Sequence, residues 1–146
     1  MRGFWKTWMT IWCAAVFVFG AVLALGAIPA ASGPARLVLS IIGGDPAKAA
    51  LLDQPIVQFG LGLQGALSIG WAMTMLGLVR AAETVGAPAW RSLTWALVVW
   101  YVIDSAISVS TGLPLNAVSN TLLMAGYLAP VLASGVLRSA GRAATA

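Results

Sequence analysis

The run from Met9 to Ile28 holds no charged side chain and stops at Pro29, and about 20 mostly apolar residues are what one helix needs to cross a hydrocarbon layer. Three further runs of this kind follow, at about 56–79, 92–111 and 115–137. Within a bilayer the backbone finds no water, so each run must satisfy its own N–H and C=O groups by forming a helix. Composition agrees, with 8% of the 146 residues charged against roughly 25% in soluble domains. The sequence therefore predicts one all-α domain over 1–146, a polytopic bundle of four transmembrane helices with a short amphipathic extracytoplasmic loop.

Each span carries its own signals. The first is preceded by MRGFWKTW. Its apolar run exceeds the roughly 7–15 residues of a signal-peptide core, so a retained span is expected. Trp5, Trp8 and Trp12 stack at helical spacing and are expected to anchor it at headgroup depth. The second span, bounded by Arg80, carries Gly62, Ala66 and Gly70 on one ridge, where small side chains let a neighbouring backbone approach. That ridge is expected to pack against another span of the same chain. After the loop AAETVGAPAWR comes the third span, and GLP at 112–114 then reverses the chain into the fourth. Pro130 should kink the fourth span, and the tail RSAGRAATA is small, polar and expected to be mobile.

Between Pro29 and Pro55 the chain is broken by Gly33, Pro34, Gly43, Gly44, Asp45 and Pro46 into pieces too short to span. Pro34 suits a first helical position and Gly43–Gly44 a helix end, while Asp45–Pro46 reads as a second N-cap and N1. Two short surface helices are expected, with a lid over a cavity as the alternative.

Lys and Arg set the orientation. Arg2, Lys6, Arg80, Arg91, Arg138 and Arg142 fall on the side of the termini, and only Arg36 and Lys48 on the other. The positive-inside rule then places both termini of this multi-pass chain in the cytoplasm, with the long loop and the GLP turn on the periplasmic or exterior side. Trp90 and Trp95 are expected to join Trp5 and Trp8 in an interfacial belt.

The residue inventory also excludes chemistry. With no histidine, Cys13 as the single cysteine, and Asp45, Asp53, Glu83 and Asp104 scattered, no metal or other cofactor is expected. Cys13 reads as a small apolar filler. The net charge of +4 comes from isolated residues flanking the spans, which suits lipid headgroups and not nucleic acid.

Asp104 is the one chemically distinctive residue. It lies eight positions before Gly112, about 12 Å from the outer end of its span at 1.5 Å per residue. A carboxylate at such depth costs about 2.5–3.5 kcal/mol on insertion scales and faces the bundle interior or a cavity. Its helix face includes Leu97, Trp100, Tyr101, Ser108 and Thr111. Asn116, Ser119 and Asn120 share a face of the fourth span, and Gln64 lies at a comparable depth in the second, with Gln58 nearer the surface. A half-cavity open to the outside is expected, with Asp104, Gln64, Asn120, Asn116, Ser108, Tyr101 and Trp100 as candidate ligand contacts. Asp104 would be neutral, hydrogen-bonded by these amides and hydroxyls, or reached by Arg36 or Lys48. The competing role is helix–helix glue. No serine has a base beside it, and no catalytic residue is assigned.

Gly70–Trp71, Trp100 with Asp104–Ser105, and Gly112-Leu-Pro114-Leu-Asn116 followed by Asn120 resemble the pattern of an uncharacterised group of short, four-span bacterial inner-membrane proteins. The resemblance covers spans two to four and implies a fold and a location but no activity or ligand. The first functional expectation is a non-enzymatic accessory or structural subunit of a membrane complex, its partners the bilayer, other membrane proteins or further copies of itself. The alternative is a binding or transport protein for a small cationic or lipid-like molecule around Asp104. An enzyme acting on a lipid ranks third.

Overall fold

The computed structural model describes residues 1 and 3–138, so Arg2, Arg142 and the tail from residue 139 onward lie outside the described residues. Five α-helices follow the apolar pattern: α1 (Gly3–Leu25), α2 (Gly33–Gly43), α3 (Pro55–Val85), α4 (Ala87–Ser110) and α5 (Pro114–Ala133). All but α2 are long and apolar enough to cross a membrane. Large apolar side chains cover the outside, with Ile11, Val18, Leu67, Val102 and Leu122 each more than half exposed. Water would not tolerate so continuous an apolar exterior, and hydrocarbon does. The fold is a four-helix membrane bundle.

The helices outrun the apolar windows. The segment AAETVGAPAWR forms no loop, because α3 continues through Arg80 and Glu83 to Val85 and α4 starts at Ala87. With 31 residues α3 is about 46 Å long at 1.5 Å per residue, well beyond a hydrocarbon core of about 30 Å. Charge marks where α3 leaves the apolar layer and not where its hydrogen bonds stop. Glu83 pairs there with Lys6 at 2.7 Å, tying the end of α3 to the start of α1.

The bundle is two helix pairs side by side. Helices α1 and α3 share the most extensive contact, α4 and α5 the next, and the pairs touch each other much less. Glycine makes the first pair close. A Cβ on Gly20 would sit 2.9 Å from the Gly65 carbonyl oxygen, and one on Gly65 would sit 2.6 Å from that of Gly20 and run into the backbone of Ala24. The ridge expected from Gly62, Ala66 and Gly70 is thus displaced. Gly62 meets Ala27, but Ala66 is exposed and open space surrounds Gly70. Close approach runs through Gly65, one position off the expected row and about 100° around the helix.

At the end bearing the termini, the pairs meet in a core of Met9, Trp12, Cys13 and Val16 from α1, Ala72, Met75 and Val79 from α3, Leu93 and Leu97 from α4, and Met124, Tyr127 and Val131 from α5. Trp90 belongs to this core at 1% exposure, which removes it from the interfacial belt. Trp8 and Trp12 are not simple anchors either. Their indole N–H groups donate across to α5, to the carbonyls of Gly126 (2.8 Å) and Leu123 (2.9 Å).

The opposite end is capped. Helix α2, with Pro34 in its first turn, stops at Gly44 in the left-handed conformation. Asp45 then N-caps a 3-10 segment, Pro46–Asp53, by accepting from the Ala47 N–H at 2.8 Å. Arg36 locks the two pieces together, donating to the Asp53 carboxylate at 2.6 Å and to the Ala49 carbonyl at 3.1 Å. The cap lies on α1 and α5, and through its 3-10 segment on α3.

Candidate functional site

The turn after α4 sets the register of the site. Gly112, at φ +77°, lets Leu113 donate back to the Ser108 carbonyl at 2.8 Å and Gly112 itself to Val109 at 3.2 Å. This pair of bonds closes α4 and satisfies its last carbonyls. Pro114 begins α5 at once, where its missing N–H costs nothing. The chain therefore folds back so that positions four apart on α4 face positions four apart on α5. Asp104 meets Asn120, and Ser108 meets Asn116.

The polar contacts follow that register. Asp104 Oδ1 accepts from Asn120 Nδ2 at 2.9 Å and Asn116 Nδ2 at 3.1 Å. Asn116 also donates to Ser108 Oγ at 2.8 Å, and Ser108 donates to the Asp104 carbonyl at 2.7 Å with Oδ1 3.2 Å away. Both amides present nitrogen to the carboxylate, the orientation an acceptor-only partner requires. Further along the seam Tyr101 Oη bonds Thr121 Oγ1 at 3.0 Å and Thr94 Oγ1 bonds Tyr127 Oη at 3.1 Å.

One oxygen of Asp104 is thus consumed by helix–helix bonding, and the other is not. Oδ2 has no protein partner among the described residues, and no buried side-chain oxygen or nitrogen is left unpartnered. Oδ2 is accordingly not fully buried, and Asp104 borders a cavity of about 610 Å³. No cation among the described residues pairs with Asp104. Arg36 is bound to Asp53, and Lys48 donates to the Gly112 carbonyl at 3.3 Å, so neither fulfils the expectation of reaching down to Asp104.

The cavity occupies the capped half, between the helix pairs. Asn116, Asn120, Ser108 and Thr111 line it beside Asp104, with Gln64 and Ser68 across from them on α3. Its walls are otherwise apolar and include, at mid-bundle, Trp71 and Trp100, whose rings meet tilted at 38° with 5.4 Å between centroids. Ile42 of the cap reaches into it from above.

Of the candidate contacts, Asp104, Gln64, Asn120, Asn116, Ser108 and Trp100 border the same cavity. Tyr101 does not, because its hydroxyl is turned toward Thr121 on the exposed side of the α4–α5 seam. Ser119 is also off the cavity, bonded to the Leu115 carbonyl, and Gln58 caps the Leu52 carbonyl at 2.8 Å. Ser68 and Trp71 also border the cavity and were not among the candidate contacts. Ser68 was findable from its spacing, one turn beyond Gln64.

Fold and site together define a small four-span membrane bundle with a half-open cavity bordered by one acid, Asp104. Neither a family model, nor a curated protein, nor a solved structure matches this chain.

Proposed function

We propose that this chain is a small-molecule binding or transport protein whose cavity accepts an amphiphile with a cationic, hydrogen-bond-donating head. The observation that carries the reading is the division of labour on Asp104. Helix–helix bonding uses Oδ1 alone, and a neutral asparagine at 104 would offer the same acceptor at lower insertion cost. A carboxylate with its second oxygen unpartnered, on a residue that borders a cavity, is what a bound cation would need. A cavity of about 610 Å³ falls within the roughly 300–1,000 Å³ of small-molecule sites, with the usual apolar lining and few polar groups.

Non-enzymatic action fits the same geometry. Ser105 and Ser108 have amide and carboxylate neighbours but no imidazole, since the chain has no histidine. No group of three or more potential metal ligands occurs among the described residues. Lys6, Arg80, Arg91 and Arg138 at the end of the termini, against Arg36 and Lys48 in the cap, favour cytoplasmic termini in a bacterial inner membrane, with the cavity on the outer side.

Thermal unfolding in detergent with a panel of long-chain amines tests the reading. Wild type should be stabilised by at least one amine, and Asp104→Asn should lose that shift. Absence of a shift in both forms would leave the accessory-subunit reading in front. That second reading has its own observation, the unfilled space around Gly70 and Gly77 on the outer face of α3. It predicts another membrane protein retained at fixed stoichiometry after mild extraction, and released by Gly70→Val.

A further inference from the structure

Two gaps separate the helix pairs in the capped half, one between α1 and α5 and one between α3 and α4. Helix α2 lies across the first, packed on both α1 and α5. Among the described residues no element packs comparably across the second. The 3-10 segment of the cap rests on α3, and α4 has no similar contact with the cap. Chain connectivity does not close it either, because α3 and α4 are joined at Gly86, at the far end of the bundle.

The residues on the lips of this second gap face two ways. Ile103 and Ile107 of α4 line the cavity and are still 55% and 57% exposed. Gln64 of α3 lines it too and is exposed, and its side-chain amide has no hydrogen-bond partner among the described residues. By helix rise Gln64 lies about 13 Å in from the start of α3, a depth at which the surroundings are acyl chains and not water. An unpartnered amide there is costly unless something polar passes it or rests on it.

We infer that the cavity is entered sideways from the bilayer, between α3 and α4, and that its ligand is therefore a membrane-dissolved single-chain amine whose head passes Gln64 to reach Asp104. This rests on the binding reading above and adds the route and the ligand class. The head has an acceptor in the Asp104 carboxylate and two indoles, Trp71 and Trp100, on the same cavity wall, residue types that suit an ammonium. The chain would lie along Ile103 and Ile107 toward the lipid. The cap, locked by Arg36 to Asp53 and by Lys48 to Gly112, serves as a roof and not as the door.

The test uses the full chain in lipid nanodiscs, with radiolabelled dodecylammonium as probe and its uptake in rapid filtration, above that of empty nanodiscs, as the association signal. Gln64→Trp, placed on an exposed lip, should slow association at least tenfold, and Ile107→Trp gives the same test from the opposite lip should the first variant fail to fold. Lys48→Ala and Arg36→Ala should leave the rate within twofold. If both plugs leave the rate unchanged, or if freeing the cap accelerates association tenfold, the lateral route is overturned. The Asp104 site then still stands, provided that Asp104→Asn abolishes the signal. If Asp104→Asn binds as wild type does, or wild type gives no signal, the binding reading falls and takes the route with it.

Discussion

The indole N–H of Trp8 donates at 2.8 Å to the carbonyl of Gly126, the one carbonyl of α5 that Pro130, lacking an N–H four residues on, leaves without its helical partner. Two residues at opposite ends of the chain thereby resolve one defect, since an unsatisfied carbonyl in hydrocarbon is costly. Trp8→Phe keeps the ring and removes the donor. It should cost about 1 kcal/mol, and much less when combined with Pro130→Ala, which returns an N–H to Gly126. A double-mutant cycle by equilibrium unfolding in mixed micelles measures the coupling, and additive effects would contradict the assignment.

Asp104 should separate its two roles under substitution. Asp104→Asn retains an acceptor for Asn116 and Asn120 and should change stability by less than about 1 kcal/mol. Asp104→Leu leaves Asn116 with Ser108 alone and Asn120 with only the 3.5 Å contact to Ser105 Oγ, and should cost about 1–3 kcal/mol. Unfolding of both variants without ligand checks this, and equal losses would make the carboxylate purely structural.

Gly65 and Gly70 should respond oppositely to a methyl group. Gly65→Ala drives a Cβ into the backbone of Gly20 and Ala24 and should cost about 1–3 kcal/mol. Gly70→Ala meets nothing within 4 Å and should be neutral or stabilising by up to about 1 kcal/mol, through helix propensity. Thermal midpoints of the two variants decide whether α1 and α3 meet at this phase.

Asp45 should hold the cap together locally. Asp45→Ala removes the acceptor for the Ala47 N–H, at a cost of about 0.5–2 kcal/mol typical of N-caps. Amide exchange should rise across Pro46–Asp53 and stay unchanged in α4. A uniform rise over all helices would mean that the cap is not a separate unit.

Legibility in the sequence followed the range of the interactions. Spans, the Pro34 and Asp45 starts and the GLP reversal depend on neighbours within a turn or two, and the structure has helices, caps and a turn at those places. The cluster of Asp104, Ser108, Asn116 and Asn120 was readable because a tight turn reflects one i, i+4 ladder onto another. The phase of the α1–α3 contact was not. Gly60, Gly62, Gly65, Ala66 and Gly70 offer several small-residue rows, and only the position of Gly20 selects among them. Trp8 could not be read as a hydrogen-bond donor to α5 either, because its acceptor lies 118 residues away. Trp90 looked interfacial by position, and its burial depends on how α4 rotates against the other three helices.

The α4–α5 hairpin has a consequence for how the chain assembles. All its polar pairings, from Ser108 with Asn116 out to Thr94 with Tyr127, close loops no longer than the hairpin itself, and loop-closure entropy rewards such short separations. The α1–α3 contact must instead wait for the whole cap segment to be placed, and the Trp8 and Trp12 bonds to α5 for nearly the entire chain. Residues 87–133 should therefore zip up as an autonomous unit once inserted, presenting a preformed face with its acid already in place, against which the N-terminal pair docks last.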